Sequence, residues 1–503
     1  MLSKTQEEIN LKEFKEKVIN DYRTVSLSRE ISVMGRRDVL SGKGKFGIFG
    51  DGKELPQVVL SHFFKKGDYR SGYYRDQTLL LSQELLSPRE IFSTVYGHAD
   101  VNYERMSGGR QMAGHFLTEM LNPDKEWIDQ TSMKNHISDV SPTASQMSRL
   151  VGLGLASKIY RNNKIKNSNK FSNNGNEIVW GSIGNASTSQ GVFFEAVNAC
   201  GVMQIPAVIS IWDDGYGISV DNKYHTTKES ISKVLSGFKL SKSESGIEIL
   251  EVKGWDYSSL MKTYSYAENI ARNYHVPVII HATELTQPLG HSTSGSHERY
   301  KSQERLDWEK SNDCNIKFKE WIINSKICTE KKLQKIDDEI KKYVKEEKRL
   351  AWKHYQRPFI ESKEELLDIF NLFDNNDIKD DLRNKISLID DLNFSELLKI
   401  ARNTIYELSS NNELIKNKLK KWCKSKTNLL SEKYSTDLYS ININDLPKEN
   451  SISPKYERHD EVDGRIVLRD NFGELLKNND NLFIFGEDVG KIGDVNQGLE
   501  GLQ

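Results

Sequence analysis

Residues 177–219 read EIVWGSIGNASTSQGVFFEAVNACGVMQIPAVISIWDDGYGIS, and the order of apolar and polar residues within them decides the fold. Two short runs rich in β-branched residues, at 177–183 and 206–212, enclose a stretch at 189–204 whose apolar residues share one helical face. Because apolar spacing separates strands from helices, this order predicts strand, helix and strand. Such a unit implies a right-handed crossover between parallel strands.

Two more apolar runs, at 247–254 and 276–285, predict further strands of the same sheet. Upstream, from about residue 12 to 106, charged residues alternate with apolar ones at spacings of three and four, which is typical of helices. We therefore expect an α/β fold in which helices flank a parallel sheet.

Composition changes divide the 503 residues into three predicted regions, 1–310, 311–455 and 456–503. The middle region is charged and helical, which favours a solvated linker over the alternative of a coiled-coil partner helix. In the last region, VLRDNFGELLKNNDNLFIFGEDVG (467–490) predicts a helix followed by a strand. We expect this second α/β domain to be incomplete, because the sequence stops before such a domain could bury a core.

The charge balance excludes some kinds of partner. Lys and Arg number 71 against 72 Asp and Glu, so no overall basic field attracts nucleic acid or a membrane surface. No apolar run approaches the roughly 20 residues of a spanning helix, and the charged N-terminus lacks a signal core. Four scattered cysteines fit a reducing compartment, so we expect a cytoplasmic protein.

Polar residues follow both strands of the opening stretch. Asn185 comes after the first strand, and Asp213 and Asp214 come after the second. Because ligands bind beyond the carboxyl ends of parallel strands, these side chains are expected at one edge of the sheet. Amide and carboxylate oxygens suit Mg²⁺, and the small residues of the turn Gly184–Ser187 allow close approach to a phosphate.

The same stretch resembles the thiamine diphosphate motif of the E1 α subunits of 2-oxo acid dehydrogenases. The resemblance implies a thiamine diphosphate-binding fold in which Asn185, Asp214 and the Tyr216 carbonyl hold Mg²⁺. The usual acidic residue and amide have exchanged places here, which keeps one carboxylate and one amide oxygen. The turn that would meet the diphosphate comprises Gly184, Asn185, Ala186 and Ser187.

Further segments strengthen the resemblance. GYYRDQ matches the pair that reaches the diphosphate, here Tyr74 and Arg75, and an arginine fork suits phosphate oxygens. The segment SGGRQMAGHF (107–116) resembles branched-chain members of the family. In PLGHSTSGSHERY (288–300), the family's diphosphate-contacting histidine corresponds to His291.

VSPTASQ (140–146) is similar to the segment that approaches the cofactor's pyrimidine, here through Ser141 and Thr143. Some family members bind K⁺ beside it, which would involve Ser145 and Gln146.

The E1 α resemblance spans roughly residues 20 to 325, and residues 464–503 resemble the start of an E1 β subunit. This order is similar to the fused E1 chains of some bacteria. Glu487 of GEDVG would lie near the cofactor, which makes Glu487 and His291 the candidate catalytic residues. A β-type domain would supply the pyrimidine half of the site, so we expect residues 1–503 alone not to decarboxylate.

The implied activity is decarboxylation of a 2-oxo acid on thiamine diphosphate and reductive acylation of the lipoyl group of an E2 acyltransferase. Branched-chain 2-oxo acids are favoured, with pyruvate as the other possibility, in a two-fold assembly. Two alternatives stay open: an acetoin dehydrogenase-type E1, and a degenerate subunit kept for assembly. A generic nucleotide-binding protein is disfavoured, because GLGLAS (152–157) lies in a predicted helix and follows no strand.

Overall fold

A computed structural model describes residues 10–111, 114–166, 168–293, 295–408, 412–435, 453, 455 and 460–503. The α-helices of this part of the chain are α1 (Leu11–Leu40), α2 (Glu54–Phe63), α3 (Gln77–Ser82), α4 (Pro88–Tyr96), α5 (Gln146–Asn162), α6 (Gly191–Met203), α7 (Ile231–Val234), α8 (Tyr257–Tyr274), α9 (Gln303–Ser311), α10 (Cys314–Asn324), α11 (Glu330–Phe370), α12 (Asn376–Ser387), α13 (Phe394–Glu407), α14 (Glu413–Ser435) and α15 (Gly464–Asn478). The strands are β1 (Tyr69–Ser71), β2 (Asn135–His136), β3 (Val179–Gly184), β4 (Ala207–Trp212), β5 (Tyr216–Gly217), β6 (Val220–Asp221), β7 (Glu248–Lys253) and β8 (Val278–Thr283).

One parallel sheet forms the centre of the fold, with strand order β2–β1–β3–β4–β8–β7. The four predicted strands are confirmed as β3, β4, β7 and β8, and the predicted helix between the first two is α6. β3 and β4 are neighbours, with Gly184 opposite Trp212 at their carboxyl ends. The two chain segments that carry the candidate site residues therefore leave the sheet side by side.

β1 and β2 were not predicted, because strands of three and two residues are too short to show an apolar pattern. The small antiparallel ribbon of β5 and β6 was not predicted either. It folds the glycine-rich loop after β4 back on itself.

The sheet lies between two apolar clusters, because successive side chains of a strand point to opposite faces. On β4, Val208 and Trp212 join one cluster, whereas Ile209 and Ile211 join the other. Helices α1, α2, α8 and α10 cover the first face, and α5 and α6 cover the second. Burial on both faces explains why these strands read as continuous apolar runs.

The charged helical region does not pack as one unit. Residues 314–351, in α10 and the first half of α11, contribute to the apolar cluster beside the sheet. Residues 366–423 form a separate apolar cluster, which we call the helical cluster. The boundaries at 310 and 455 stay predictions, and residues 436–452 lie outside the described residues.

In the last region, the predicted helix is confirmed as α15, but the predicted strand after it is wrong. Residues 481–486 have no strand structure, and Phe483 and Phe485 are exposed. A strand is stabilised by ladder bonds to a neighbour, and the described residues provide none at this place. None of the helices among the described residues has the length and apolar character needed to cross a membrane.

Candidate functional site at the ends of β3 and β4

A cavity of about 330 Å³, here called the strand-end cavity, lies at the carboxyl ends of β3 and β4. It collects most of the candidate site residues from distant parts of the sequence. The predicted residues that line it are Tyr74, Arg75, Thr143, Gly184, Asn185, Ala186, Ser187, Asp214, Tyr216 and His291.

Among the candidate catalytic, cofactor-binding and Mg²⁺-binding residues, two do not line this cavity. The Ser141 hydroxyl forms a hydrogen bond of 2.6 Å with Nε2 of His115. Glu487 is exposed in the C-terminal segment. Two of the matching segments are described only in part, because Met112, Ala113 and Ser294 lie outside the described residues.

The turn after β3 does not lead directly into α6. A 3-10 turn at Ala186–Ser189 follows the strand, and α6 begins only at Gly191. Gly184 to Ser187 line the strand-end cavity, whereas the first residue of α6 does not. The backbone of this turn, rather than the N-terminus of α6, therefore faces the cavity.

Gly217 lets the two strand-end loops touch. A Cβ atom on Gly217 would lie 2.6 Å from Cβ of Ala186, closer than real Cβ contacts allow. Glycine is needed here for close approach of one loop to the other rather than for an unusual backbone angle.

Arg75 and His291 form one cationic unit at the cavity. The buried Arg75 guanidinium donates from Nη1 to the Phe49 carbonyl at 2.5 Å and from Nη2 to the His291 carbonyl at 2.9 Å. Nη2 also lies 3.0 Å from Nδ1 of His291. Because a guanidinium only donates, Nδ1 accepts, and the imidazole proton belongs on Nε2.

The protonation of His291 follows from the same contacts. Burial, reinforced by the Arg75 charge, lowers the pKa of His291 to about 4. At neutral pH the ring is therefore uncharged, with Nε2–H as a donor.

A chain of hydrogen bonds orients the Asn185 amide. Nε2 of His281 lies 2.8 Å from Asp213 Oδ2, and Asn222 Nδ2 donates to Asp213 Oδ1 at 3.1 Å. Since a carboxylate only accepts, Asn222 must present Oδ1 to Asn185, whose Nδ2 donates to it at 2.7 Å. This network leaves Oδ1 as the Asn185 atom outside these bonds.

Asp214 is oriented by Lys53, which sequence reasoning missed. The Lys53 ammonium donates to Asp214 Oδ2 at 2.8 Å, and the Tyr216 N–H donates to Oδ1 at 3.1 Å. Although burial alone would raise it, the Lys53 charge holds the pKa of Asp214 below its usual value. The sequence places Lys53 directly before α2, but it does not show the oxygen partners that the fold brings to it.

The loop after β4 is clamped from the other side by α9. Nη2 of Arg305 donates to the Asp214 carbonyl at 2.6 Å, and its guanidinium lies 5.3 Å from the Tyr216 ring centre. Lys301 lies 5.0 Å from the same ring and pairs with the buried Glu309. These contacts hold the Tyr216 backbone at the cavity.

The oxygen donors match a hard cation in chemistry. Asn185 Oδ1 is outside the orienting bonds, and each oxygen of the Asp214 carboxylate retains acceptor capacity beyond its one donor. Among the described residues, no cluster of three or more His, Cys, Asp or Glu side chains could hold a metal ion. A cation at this place would be bound by one carboxylate together with amide and carbonyl oxygens of the protein and oxygens of a bound ligand.

A second, smaller cavity of about 50 Å³, here called the apolar cavity, shares Tyr73 and Tyr74 with the strand-end cavity. Most of its other lining residues are apolar, and none of the described ones is Lys or Arg. Its apolar lining residues include Phe46, Ile48, Phe49, Leu80, Leu86, Ile91, Val95, Met106 and Phe116.

Comparison with known proteins gives one family. The family model described as "Dehydrogenase E1 component" matches residues 22–358. The chain is 25% identical to the 2-oxoisovalerate dehydrogenase subunit alpha of Bacillus subtilis, over 66% of this chain and 89% of that protein. It is 24% identical to the pyruvate dehydrogenase E1 component subunit alpha of Acholeplasma laidlawii, over 65% and 81%. For the mitochondrial 2-oxoisovalerate dehydrogenase subunit alpha 1 of Arabidopsis thaliana, the identity is 22% over 65% of this chain and 61% of that protein.

Proposed function

We propose a function from the premise that this chain belongs to the dehydrogenase E1 component family. It is the α-type part of an E1 enzyme that decarboxylates a 2-oxo acid and transfers the acyl group to the lipoyl group of an E2 acyltransferase. One observation carries this proposal: Arg75, His291, Asn185 and Asp214 line one cavity at the ends of β3 and β4.

The residues present fit thiamine diphosphate. When bound, this cofactor supplies the carbon that attacks the keto group and accepts its electrons. The Arg75 guanidinium and the Nε2–H of His291 provide a positive charge and a donor for the diphosphate. The turn Gly184–Ser187 supplies a backbone wall of small residues, and Thr143 together with Ser141 is assigned to the pyrimidine side.

Asn185 Oδ1, Asp214 and the Tyr216 carbonyl are the proposed ligands of Mg²⁺. Support comes from the two separate hydrogen-bond networks that orient Asn185 and Asp214. Metal ligands in proteins are commonly held in place by hydrogen bonds from neighbouring residues. A K⁺ ion beside Ser145 and Gln146 stays a prediction.

The apolar cavity supports a substrate with a short aliphatic side chain. Its volume of about 50 Å³ is roughly a third of the ~150 Å³ cavity that accepts benzene, which suits an alkyl group of few carbons. Its described lining residues include Asp76 and Asp139 but no Lys or Arg, so it offers no cationic partner for a second carboxylate. Branched-chain 2-oxo acids are therefore favoured over 2-oxoglutarate, and pyruvate would leave the cavity unfilled.

The proposed partners are an E1 β-type domain and an E2 acyltransferase, in a two-fold assembly. Glu487 does not line the strand-end cavity of its own chain, so its assigned contact with the cofactor depends on that assembly. A cytoplasmic location is supported by the four cysteines, which are all free thiols.

The test is steady-state decarboxylation by the chain with its β-type partner on pyruvate, 2-oxoglutarate and 2-oxoisovalerate. We expect kcat/KM to be highest for 2-oxoisovalerate and lowest for 2-oxoglutarate. A lysine at position 75 cannot contact the diphosphate through two N–H groups of a planar fork. In Arg75→Lys we therefore expect thiamine diphosphate to bind about tenfold more weakly. Turnover of none of the three 2-oxo acids, with or without turnover of acetoin added to the same assay, would contradict the proposed function.

A further inference from the structure

Lys53 is a buried cation enclosed by oxygen atoms. Its ammonium donates to Asp214 Oδ2 at 2.8 Å, to the Thr286 carbonyl at 3.2 Å and to Gln287 Oε1 at 2.6 Å. The side chain is 2% exposed. Gly52 allows the backbone before Lys53 to pass close to Thr286, because a Cβ atom on residue 52 would lie 2.0 Å from the Thr286 carbonyl oxygen.

These three contacts use all of the hydrogen atoms of the ammonium. A lysine has three N–H donors and no acceptor. Lys53 therefore has no further N–H for a ligand and acts on the strand-end cavity through its fixed positive charge.

The charge balance of the cavity follows directly. Its described lining residues include two cations, Lys53 and Arg75, and one carboxylate, Asp214. His291 is uncharged at neutral pH, and Asn185 contributes a neutral amide. The cavity thus carries a net positive charge, which attracts a diphosphate and repels a free divalent cation.

A bound diphosphate changes this balance, because it brings negative charge and oxygen ligands to the same place. Asn185 and Asp214 then bind the cation together with phosphate oxygens. Mg²⁺ prefers such a mixed set of ligands to a site made only of protein atoms. The two ligands are therefore coupled, and the field of Lys53 strengthens the coupling by weakening cation binding to the empty site.

We propose that Lys53 makes cation binding at this site conditional on the diphosphate: paired with Asp214, it prevents the empty site from holding a divalent ion. This inference rests on the proposed function, because it takes the diphosphate of thiamine diphosphate as the ligand. Lys53 is a positioning residue, since it acts through Asp214 and through its charge.

The test uses Mn²⁺ as the probe, because Mn²⁺ prefers the same oxygen ligands as Mg²⁺ and free Mn²⁺ is counted by electron paramagnetic resonance. The full chain, together with its β-type partner, is titrated with Mn²⁺ alone and with Mn²⁺ plus thiamine diphosphate. We expect wild-type protein to bind Mn²⁺ more than about tenfold more tightly when thiamine diphosphate is present.

Two variants change the charge of the cavity by the same amount in different ways. Lys53→Gln removes the cation, and Asn185→Asp adds a carboxylate while leaving Lys53 paired. Both are expected to bind Mn²⁺ without thiamine diphosphate and to show weaker coupling than wild-type protein. Lys53→Arg keeps the charge and is expected to keep the coupling.

Lys426→Gln is the matched control, because Lys426 is a buried lysine paired with Glu365 and lies outside the strand-end cavity. It should behave like wild-type protein in both titrations. Thermal unfolding of every variant shows which are folded, and Asn185→Asp tests the charge argument even where Lys53→Gln does not fold.

The outcomes separate the two proposals. Tight Mn²⁺ binding by wild-type protein without thiamine diphosphate would overturn the inference and leave the proposed function standing. Unchanged coupling in folded Lys53→Gln or Asn185→Asp would overturn it as well. Failure of thiamine diphosphate to bind, with or without Mn²⁺, would overturn the proposed function and the inference together.

Discussion

At the scale of single residues, the strand-end cavity is defined by pairs in which one side chain fixes the state of another. Arg75 accounts for the tautomer of His291, and Lys53 accounts for the ionised state of Asp214. Buried charged groups are stable only when they are paired and hydrogen-bonded. The side chains of these two pairs are therefore held in place before any ligand arrives.

The pKa of His291 leads to a pH-dependent contribution to stability. It is lowered to about 4 in the folded chain, against about 6.5 for an unperturbed histidine. The unfolded chain binds more protons between these values, so the free energy of unfolding falls as the pH drops through this window. His291→Gln should lose less stability than wild-type protein over the same range.

Urea unfolding of both proteins at several pH values between about 4 and about 6.5 measures this difference. Other buried histidines titrate equally in both proteins and cancel in the comparison. Parallel pH profiles would show that His291 is not held neutral by its surroundings.

At the scale of elements, the site depends on two loops that leave neighbouring parallel strands. The turn after β3 and the ribbon of β5 and β6 meet where Gly217 faces Ala186. The adjacency of β3 and β4 fixes the separation of these loops, and the Arg305 clamp fixes the second one from outside.

Gly217→Ala should separate the two loops. Its new methyl group cannot share space with the Ala186 methyl group, so we expect thiamine diphosphate to bind at least about tenfold more weakly. Ala186→Gly in the same chain removes the clash and should restore most of the affinity. Calorimetric titration with thiamine diphosphate measures both effects.

Gly237→Ala serves as the control, because nothing lies within 4 Å of a Cβ atom at that position. Unchanged affinity in Gly217→Ala would mean that contact between these loops is not needed for binding.

At the scale of the whole molecule, the described residues form three apolar clusters, of which two enclose the sheet and the third is the helical cluster. The strand-end cavity has no lining residue from the helical cluster. A substitution in the helical cluster is therefore expected to lower stability without changing ligand binding at the strand-end cavity.

Leu419→Ala tests this separation, because Leu419 is fully buried in the helical cluster. We expect a loss of about 2–5 kcal/mol in the free energy of unfolding of that cluster, from lost burial and the remaining cavity. Thiamine diphosphate affinity should stay within about twofold of wild-type protein. A large loss of affinity would show that the helical cluster supports the site.

Sequence patterns were sufficient for the central strands and for the polar residues at their ends, Asn185 and Asp214, because buried strands and their polar ends leave a continuous local signal. Other residues that line the strand-end cavity, such as Arg75 and His291, were predicted only through the family resemblance. β1 and β2 gave no such signal, being too short. Lys53 could not be assigned because its oxygen partners, Asp214, Thr286 and Gln287, are brought to it only by the fold. The strand predicted in residues 481–486 is absent although its apolar pattern is clear, since a local pattern cannot supply the neighbouring strand with which it would pair.

The central claim is that the strand-end cavity binds thiamine diphosphate together with a divalent cation. Its most direct test is a crystal structure of the chain with thiamine diphosphate and Mn²⁺, with anomalous scattering used to locate the metal. We predict a metal peak within about 2–2.5 Å of Asn185 Oδ1 and of an Asp214 oxygen, with the diphosphate between Arg75 and the turn Gly184–Ser187. A metal and diphosphate bound elsewhere, or a cavity left empty at saturating ligand, would contradict the account.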